Sequence, residues 1–168
     1  MPGDDRHDQA APELAGSSHA PQGYDCPFCR LVRGTETELN RLDDVVWRDE
    51  QTMAFIAPKW WPANHGHLLV IPNLHVENLY EIDEELLGAV YSTARRVAIA
   101  LKRAYRCDGT STRQHNEPGG TQDVWHLHVH VFPRYFGDRL YERHEEDRWT
   151  TPAERAPYAA KLRAALAP

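Results

Sequence analysis

No stretch of the 168 residues approaches the ~18 consecutive apolar positions that a membrane-crossing helix needs. The opening residues also lack the apolar core of a secretion signal. Cysteine is scarce, with only Cys26, Cys29 and Cys107. So small and odd a count does not build a secreted disulfide scaffold, and a reducing cytoplasmic setting is expected. Basic charge is short too: 19 Lys and Arg face 25 Asp and Glu, for a net charge of −6. That balance offers no footprint for a nucleic-acid duplex, although a small phosphate ligand needs only local donors. Apolar content is an ordinary 41%, enough for one core without staples. The count that is high for its residue type is histidine, at ten.

Residues 1–23 show no apolar period and read as a disordered tail, with His7 and His19 inside it and without a role. Leu31 and Val32 suit a short helix ending at Gly34. Residues 45–49 and 52–57 read as a hairpin turning at Glu50-Gln51. Pro58 and Pro62 bracket a loop holding Trp60 and Trp61. His67-Leu68-Leu69-Val70-Ile71 is nearly continuous apolar sequence, which predicts a central strand stopped by Pro72. Over 83–106, Leu86, Leu87, Val90, Ala94, Val97, Ala98, Leu101 and Tyr105 form one helical stripe. Asp83, Glu84 and Glu85 open that helix, basic residues close it, and Asp108-Gly109 ends it. Further strands are expected over 110–116 and 124–132, separated by a turn at Glu117-Pro118-Gly119-Gly120 and closed by Pro133. A last helix is expected over 152–166, with Pro152 in its first turn. The fold class is therefore α+β: a five-stranded antiparallel sheet with one long helix. The organisation reads as a tail (1–23), a main domain (24–136) and a C-terminal extension with a helix (137–168).

Three histidines fall in His126-Leu127-His128-Val129-His130-Val131. Side chains alternate across a strand, so the imidazoles share one face and the aliphatic residues the other. The apolar face suits packing on the long helix, which leaves the histidines in a cleft. An exposed polar face or a zinc cage fits the same residues; the surrounding sequence favours a functional triad. Cys26-Pro27-Phe28-Cys29 is a second signal. A thioredoxin-like redox pair needs a βαβ setting that the order of elements lacks. Zinc needs two further ligands, and inert thiols are the third reading.

Gln122 precedes His126 by four residues, and Asn116 stands before the Gly-rich turn. Upstream runs Pro62-Ala63-Asn64-His65-Gly66-His67-Leu68-Leu69-Val70-Ile71-Pro72-Asn73-Leu74-His75. With the histidine run, these resemble the zinc-bearing branch of the histidine triad (HIT) superfamily of nucleotidyl hydrolases and transferases, over residues 26–134. The resemblance implies a HIT-like fold. It implies that His128 attacks an α-phosphorus and carries a nucleotidyl group, a role that suits an imidazole near neutral pH. His130 would contact phosphate and help the leaving group. Asn116 and Gln122 would donate hydrogen bonds to phosphate oxygens. His67 would lie near the ribose or orient His128. Phe55, with Met53 and Ile56, would hold a purine, and Asp43 or Asp44 would meet ribose hydroxyls. Cys26, Cys29, His75 and His126 would bind a structural zinc.

The implied substrates are small-molecule purine nucleotides, either phosphoramidates or dinucleoside polyphosphates. A homodimer through the long helix and sheet edge is expected. A phosphorylase or nucleotidyl transferase, a zinc-stabilised nucleotide-binding module without turnover, and a pure metal-binding protein remain alternatives. Two positions depart from the pattern. Asp123 stands where several relatives carry Ser or Thr against phosphate, unfavourable for a carboxylate unless it is turned away or paired. Thr121 replaces a common glycine. Cys107 reads as a packed thiol, and His65 and His115 as extra histidines near the cleft.

Overall fold

The structure, a computed structural model, describes residues 18–167. Most of the expected tail, residues 1–17, lies outside the described residues. From Ser18 the chain is tied down: the Ser18 hydroxyl and the His19 N–H donate to the Glu77 carboxylate at 2.5 and 2.8 Å. His19 also stacks on Trp125.

Five strands form one antiparallel sheet: β1 (Val45–Arg48), β2 (Thr52–Ile56), β4 (Leu68–Pro72), β5 (Gly109–Gln114) and β6 (Val129–Arg134). Their spatial order is β1-β2-β4-β6-β5, which puts the apolar β4 at the centre as its composition predicts. The helices α2 (Glu84–Tyr105) and α3 (Pro152–Leu166) pack on one face. The short α1 (Pro27–Val32) packs on the other. Alternation in β2 feeds both layers. Ala54 and Ile56 join the core under α2, while Met53, Phe55 and Ala57 join Phe28 and Leu31 of α1.

Asp83 caps α2, its Oδ1 accepting the Leu86 N–H at 2.8 Å. The helix ends as expected at Arg106, whose φ of 54° is left-handed. Its buried stripe of Leu86, Val90, Ala94, Val97 and Leu101 meets Leu127, Val129 and Val131, the aliphatic face of the triad segment. Each large side chain so buried stabilises by about 1.5–3 kcal/mol. A capping box at Thr151 and Glu154 opens α3, which sends Ala159 and Leu162 into the same core. Gly66 has φ of 70°, and a Cβ there would run into the Tyr158 ring of α3 and the Tyr105 hydroxyl of α2. Only glycine lets the chain enter His67 at that point.

Several boundaries differ from expectation. β6 starts at Val129, not 124, because the preceding backbone bonds elsewhere: His126 N–H to the Val124 carbonyl (2.8 Å) and Leu127 N–H to the Val76 carbonyl (2.7 Å). It also runs through Pro133, which is tolerated because pairing with β4 ends at Leu68↔Val131. β5 stops at Gln114, releasing His115 and Asn116 into the loop. α1 begins at Pro27, earlier than expected, with the Cys26 sulfur accepting the Cys29 N–H at 3.4 Å. Two-residue strands β3 (Lys59–Trp60) and β7 (Arg148–Trp149) pair with each other, and nothing so short carries a periodic signal. Among the described residues no helix is long and apolar enough to cross a membrane.

Candidate active site and metal centre

A cavity of about 630 Å³ opens on the sheet face opposite α2, a size that suits a small molecule. The sheet order gives it a polarity. Toward β2 and β4 the lining includes the apolar Phe28, Ala57 and Leu69, while the loop before β1 adds Leu39 together with the polar Thr37, Glu38 and Asn40. His128 and His130 line it at β6, and Arg113 and His115 at the β5 edge.

His128 Nδ1 lies 2.8 Å from the His126 carbonyl, an acceptor only, so Nδ1 carries the proton and donates. The other nitrogen, Nε2, faces the cavity, 3.8 Å from Asp123 Oδ1. Burial pushes the His128 pKa below its ordinary value, against opposing pulls from the His126 carbonyl and Asp123. The ring is held neutral, with its lone pair toward the cavity. His130 is pushed well down by burial and by neighbouring His128, His67 and Arg113. His67 is fully buried, and burial followed by Arg113 takes it down to about 3. His67 Nε2 sits 3.3 Å from His130 Nδ1, and its ring stacks on Phe132 at 4.4 Å. The cavity wall along β6 and β5 thus presents neutral imidazoles beside Arg113; Lys59, the other cation lining the cavity, is paired with Asp147 at 2.7 Å.

Cys26, Cys29, His75 and His126 converge, with one donor atom from each within 4.8 Å of the others. Cys26 Sγ lies 3.4 Å from His126 Nδ1, and Cys29 Sγ lies 3.2 Å from His75 Nδ1 and 3.6 Å from His126 Nδ1. Tetrahedral zinc with ordinary bond lengths separates sulfur and nitrogen ligands by about 3.5 Å. His126 Nε2 donates to the Pro72 carbonyl at 2.9 Å, which leaves Nδ1 as the donor atom for metal. Burial and the Cys26 sulfur push the Cys29 thiol up to about 12. A dication at the centre reverses that preference, because coordinating thiols deprotonate. The donor set fits zinc.

Several expected site residues are turned to other work. Gln122 Nε2 donates to the Glu77 and Val124 carbonyls (2.7 and 3.0 Å), and its Oε1 accepts the Glu117 N–H at 2.8 Å. Asn116 Oδ1 accepts from the Leu79 N–H and Gln114 Nε2 (2.8 and 2.9 Å). Both amides shape the loop, and neither lines the cavity. Phe55 is 0% exposed, packed under Phe28 at 5.4 Å, so Phe28 and not Phe55 lines the cavity. Met53 and Ile56 are equally buried. Asp44 pairs with Arg155 and does not face the cavity; Asp43 is exposed outside it. His65 stacks on Trp60, away from the cavity. Of the two tryptophans, Trp60 is core and Trp61 lines the cavity. Arg113 was missed, although alternation along β5 puts it on the same face as His115. Trp149, in the two-residue β7, left no sequence signal.

The family model of the HIT domain matches residues 38–137. The chain belongs to the histidine triad (HIT) family. A HIT-like protein of Bartonella henselae shares the fold with a TM-score of 0.72 and 32% identity, covering 84% of this chain and 96% of that one. A zinc-bound histidine triad family protein of Mycobacterium smegmatis has a TM-score of 0.69 and 27% identity, covering 84% of this chain and 91% of that one. An adenylylsulfatase of Arabidopsis thaliana is 28% identical over 117 residues, 70% of this chain and 56% of that protein. The five-stranded antiparallel α+β architecture is the one shared with the HIT structures.

Proposed function

We propose that this HIT protein is a nucleotidyl hydrolase or transferase that cleaves at the α-phosphate of a purine nucleotide through a covalent nucleotidyl-His128 intermediate. The supporting observation is the His128 ring: its Nδ1–H is committed to the His126 carbonyl at 2.8 Å, and Nε2 faces the cavity. A neutral imidazole so oriented is a competent nucleophile. In the first step the Nε2 lone pair forms a bond to phosphorus, and the bond to the leaving group breaks with its electron pair. The ring becomes cationic, and the His126 carbonyl stabilises that charge through the Nδ1 proton. In the second step water attacks phosphorus, the P–N bond breaks with its electron pair returning to Nε2, the proton shed by the water passes to solvent, and neutral His128 returns. His130 lies on the same face to hydrogen-bond the phosphate, and His67 orients His130. Phe28, Leu39 and Leu69 supply an apolar bed for the base. The adenylylsulfatase relative supports nucleotidyl chemistry.

The reading includes a structural zinc on Cys26, Cys29, His75 and His126, supported by the donor distances and the zinc-bound neighbour. Bound there, zinc neutralises the two thiolates and pins α1 to the segment that carries His128. Elemental analysis should find about one zinc per chain, falling close to zero when Cys26 and Cys29 are both changed to serine. Metal-free wild type with an unchanged melting temperature would refute the assignment. The reading also includes a cytoplasmic homodimer built through α2, where Tyr91 and Ile99 stand exposed.

The test of function is a panel of AMP- and GMP-linked phosphoramidates and dinucleoside polyphosphates. Release of the nucleoside monophosphate is expected; no turnover of any member contradicts the proposal. Release of ADP from diadenosine substrates in phosphate buffer would mark a phosphorylase.

A further inference from the structure

Arg113 is a permanent cation lining the cavity, and the chemistry described above does not use it; the other, Lys59, is paired with Asp147 at 2.7 Å. It lies on β5 directly opposite His130 in the ladder. Its guanidinium sits over the Trp61 and Phe132 rings, 5.1 Å from each centroid. Those rings hold the side chain along the cavity wall without neutralising it. Its Nε is buried and has no hydrogen-bond partner. Asp123 and Asp147 act on it only at a distance, and Asp123 is 77% exposed at the rim, where water screens it.

The order of strands fixes which part of a substrate meets this residue. Phe28, Ala57 and Leu69 lie toward β2 and β4, the nucleophile just before β6, and Arg113, against Trp61, beyond it on the β5 edge. A nucleotide with its base on the apolar side and phosphorus at His128 points its leaving group toward Arg113. We infer that Arg113 is a specificity-determining residue that selects nucleotides whose leaving group departs as an oxyanion, a phosphate chain or a sulfate, over those that release a neutral amine. The inference rests on the nucleotidyl-His128 reading.

The bond-breaking step supports it. When the bridging P–O bond breaks, the electron pair goes to an oxygen of the departing phosphate or sulfate. That group needs its charge neutralised more than it needs a proton, and a guanidinium does this with a planar fork that matches an oxyanion. An amine must instead be protonated as it leaves. His130 and His67 are held neutral by burial, so neither brings a ready proton. His115, beside Arg113 on the same edge, has its Nδ1 engaged by the Gly120 carbonyl at 2.5 Å and Thr121 Oγ1 at 3.0 Å.

The test compares wild type, Arg113→Gln and Arg113→Lys on diadenosine tetraphosphate and adenosine 5′-phosphoramidate, which share the adenylyl group and differ in leaving group. Loss of a charge-assisted contact predicts a drop of about 10–100-fold in kcat/KM for the tetraphosphate in Arg113→Gln, with phosphoramidate turnover held within about threefold. Lysine should restore part of the loss. An equal fall on both substrates, or no fall on the tetraphosphate, overturns the inference. Calorimetric binding of inorganic tripolyphosphate gives a readout without turnover. Affinity that drops at least about tenfold in Arg113→Gln upholds the anion subsite even if no nucleotide is cleaved, in which case only the nucleotidyl reading fails. Affinity unchanged by Arg113→Gln sinks the subsite.

Discussion

Replacing His128 by asparagine is expected to lower kcat by about 10³-fold or more while nucleotide affinity stays within a few-fold, a loss of at least about 4 kcal/mol of transition-state stabilisation. Asparagine keeps a side-chain N–H able to donate to the His126 carbonyl, the contact that fixes the ring at 2.8 Å. It keeps the polar bulk at the cavity floor but offers no lone pair able to bond to phosphorus. The zinc ligands are untouched, and Leu127 and Val129 on either side remain in the core. Binding measured by calorimetry with a nonhydrolysable nucleotide then separates chemistry from recognition. A variant that binds normally and turns over normally would remove His128 from the mechanism. A wild type that binds but never turns over would make the protein a binding module.

Changing Arg155 to methionine is expected to cost about 3–5 kcal/mol of folding stability, the usual result of leaving a buried charge without its partner. Arg155 is 1% exposed and Asp44 2%. Arg155 Nε lies 2.9 Å from both Asp44 carboxylate oxygens, and Nη2 is also 2.9 Å from Oδ2. Nη1 donates to the Thr150 carbonyl at 2.7 Å and Nη2 to the Leu39 carbonyl at 3.2 Å. One side chain thus joins α3 to the turn before β1 and to the Leu39 segment of the cavity rim. Urea unfolding should show a lower midpoint with an unchanged slope. Adding Asp44→Leu should recover most of the loss, because the pair then becomes apolar on both sides. Destabilisation below about 1 kcal/mol would show that the pair is not desolvated.

How far the sequence announces this arrangement depends on how local each cause is. The alternation His126 to Val131 is legible because its two faces differ in chemistry, and Leu127, Val129 and Val131 do pack under α2. The start of β6 is not legible, since it depends on Leu127 bonding to Val76, far away in sequence. The position of β4 at the sheet centre follows from its unbroken apolar run, because a central strand is covered on both faces. Asp44 had no local sign that its partner lies 111 residues later. Gln122 and Asn116 belong to the right loop, but their amides are consumed by backbone groups near Glu77 and Leu79. Phe28, which lines the cavity in place of Phe55, sits between two cysteines whose spacing drew attention to metal instead. Arg113 was within reach of the period-2 argument that placed the histidines.

The central claim is that His128 Nε2 becomes covalently bonded to phosphorus. It is tested most directly by rapid mixing of enzyme with an excess of cleavable nucleotide, quenching in alkali, and peptide mass spectrometry. The account predicts one nucleotidyl group on the peptide carrying His128, absent in His128→Asn. Efficient turnover with no adduct at any quench time, or an adduct on another residue, would contradict it.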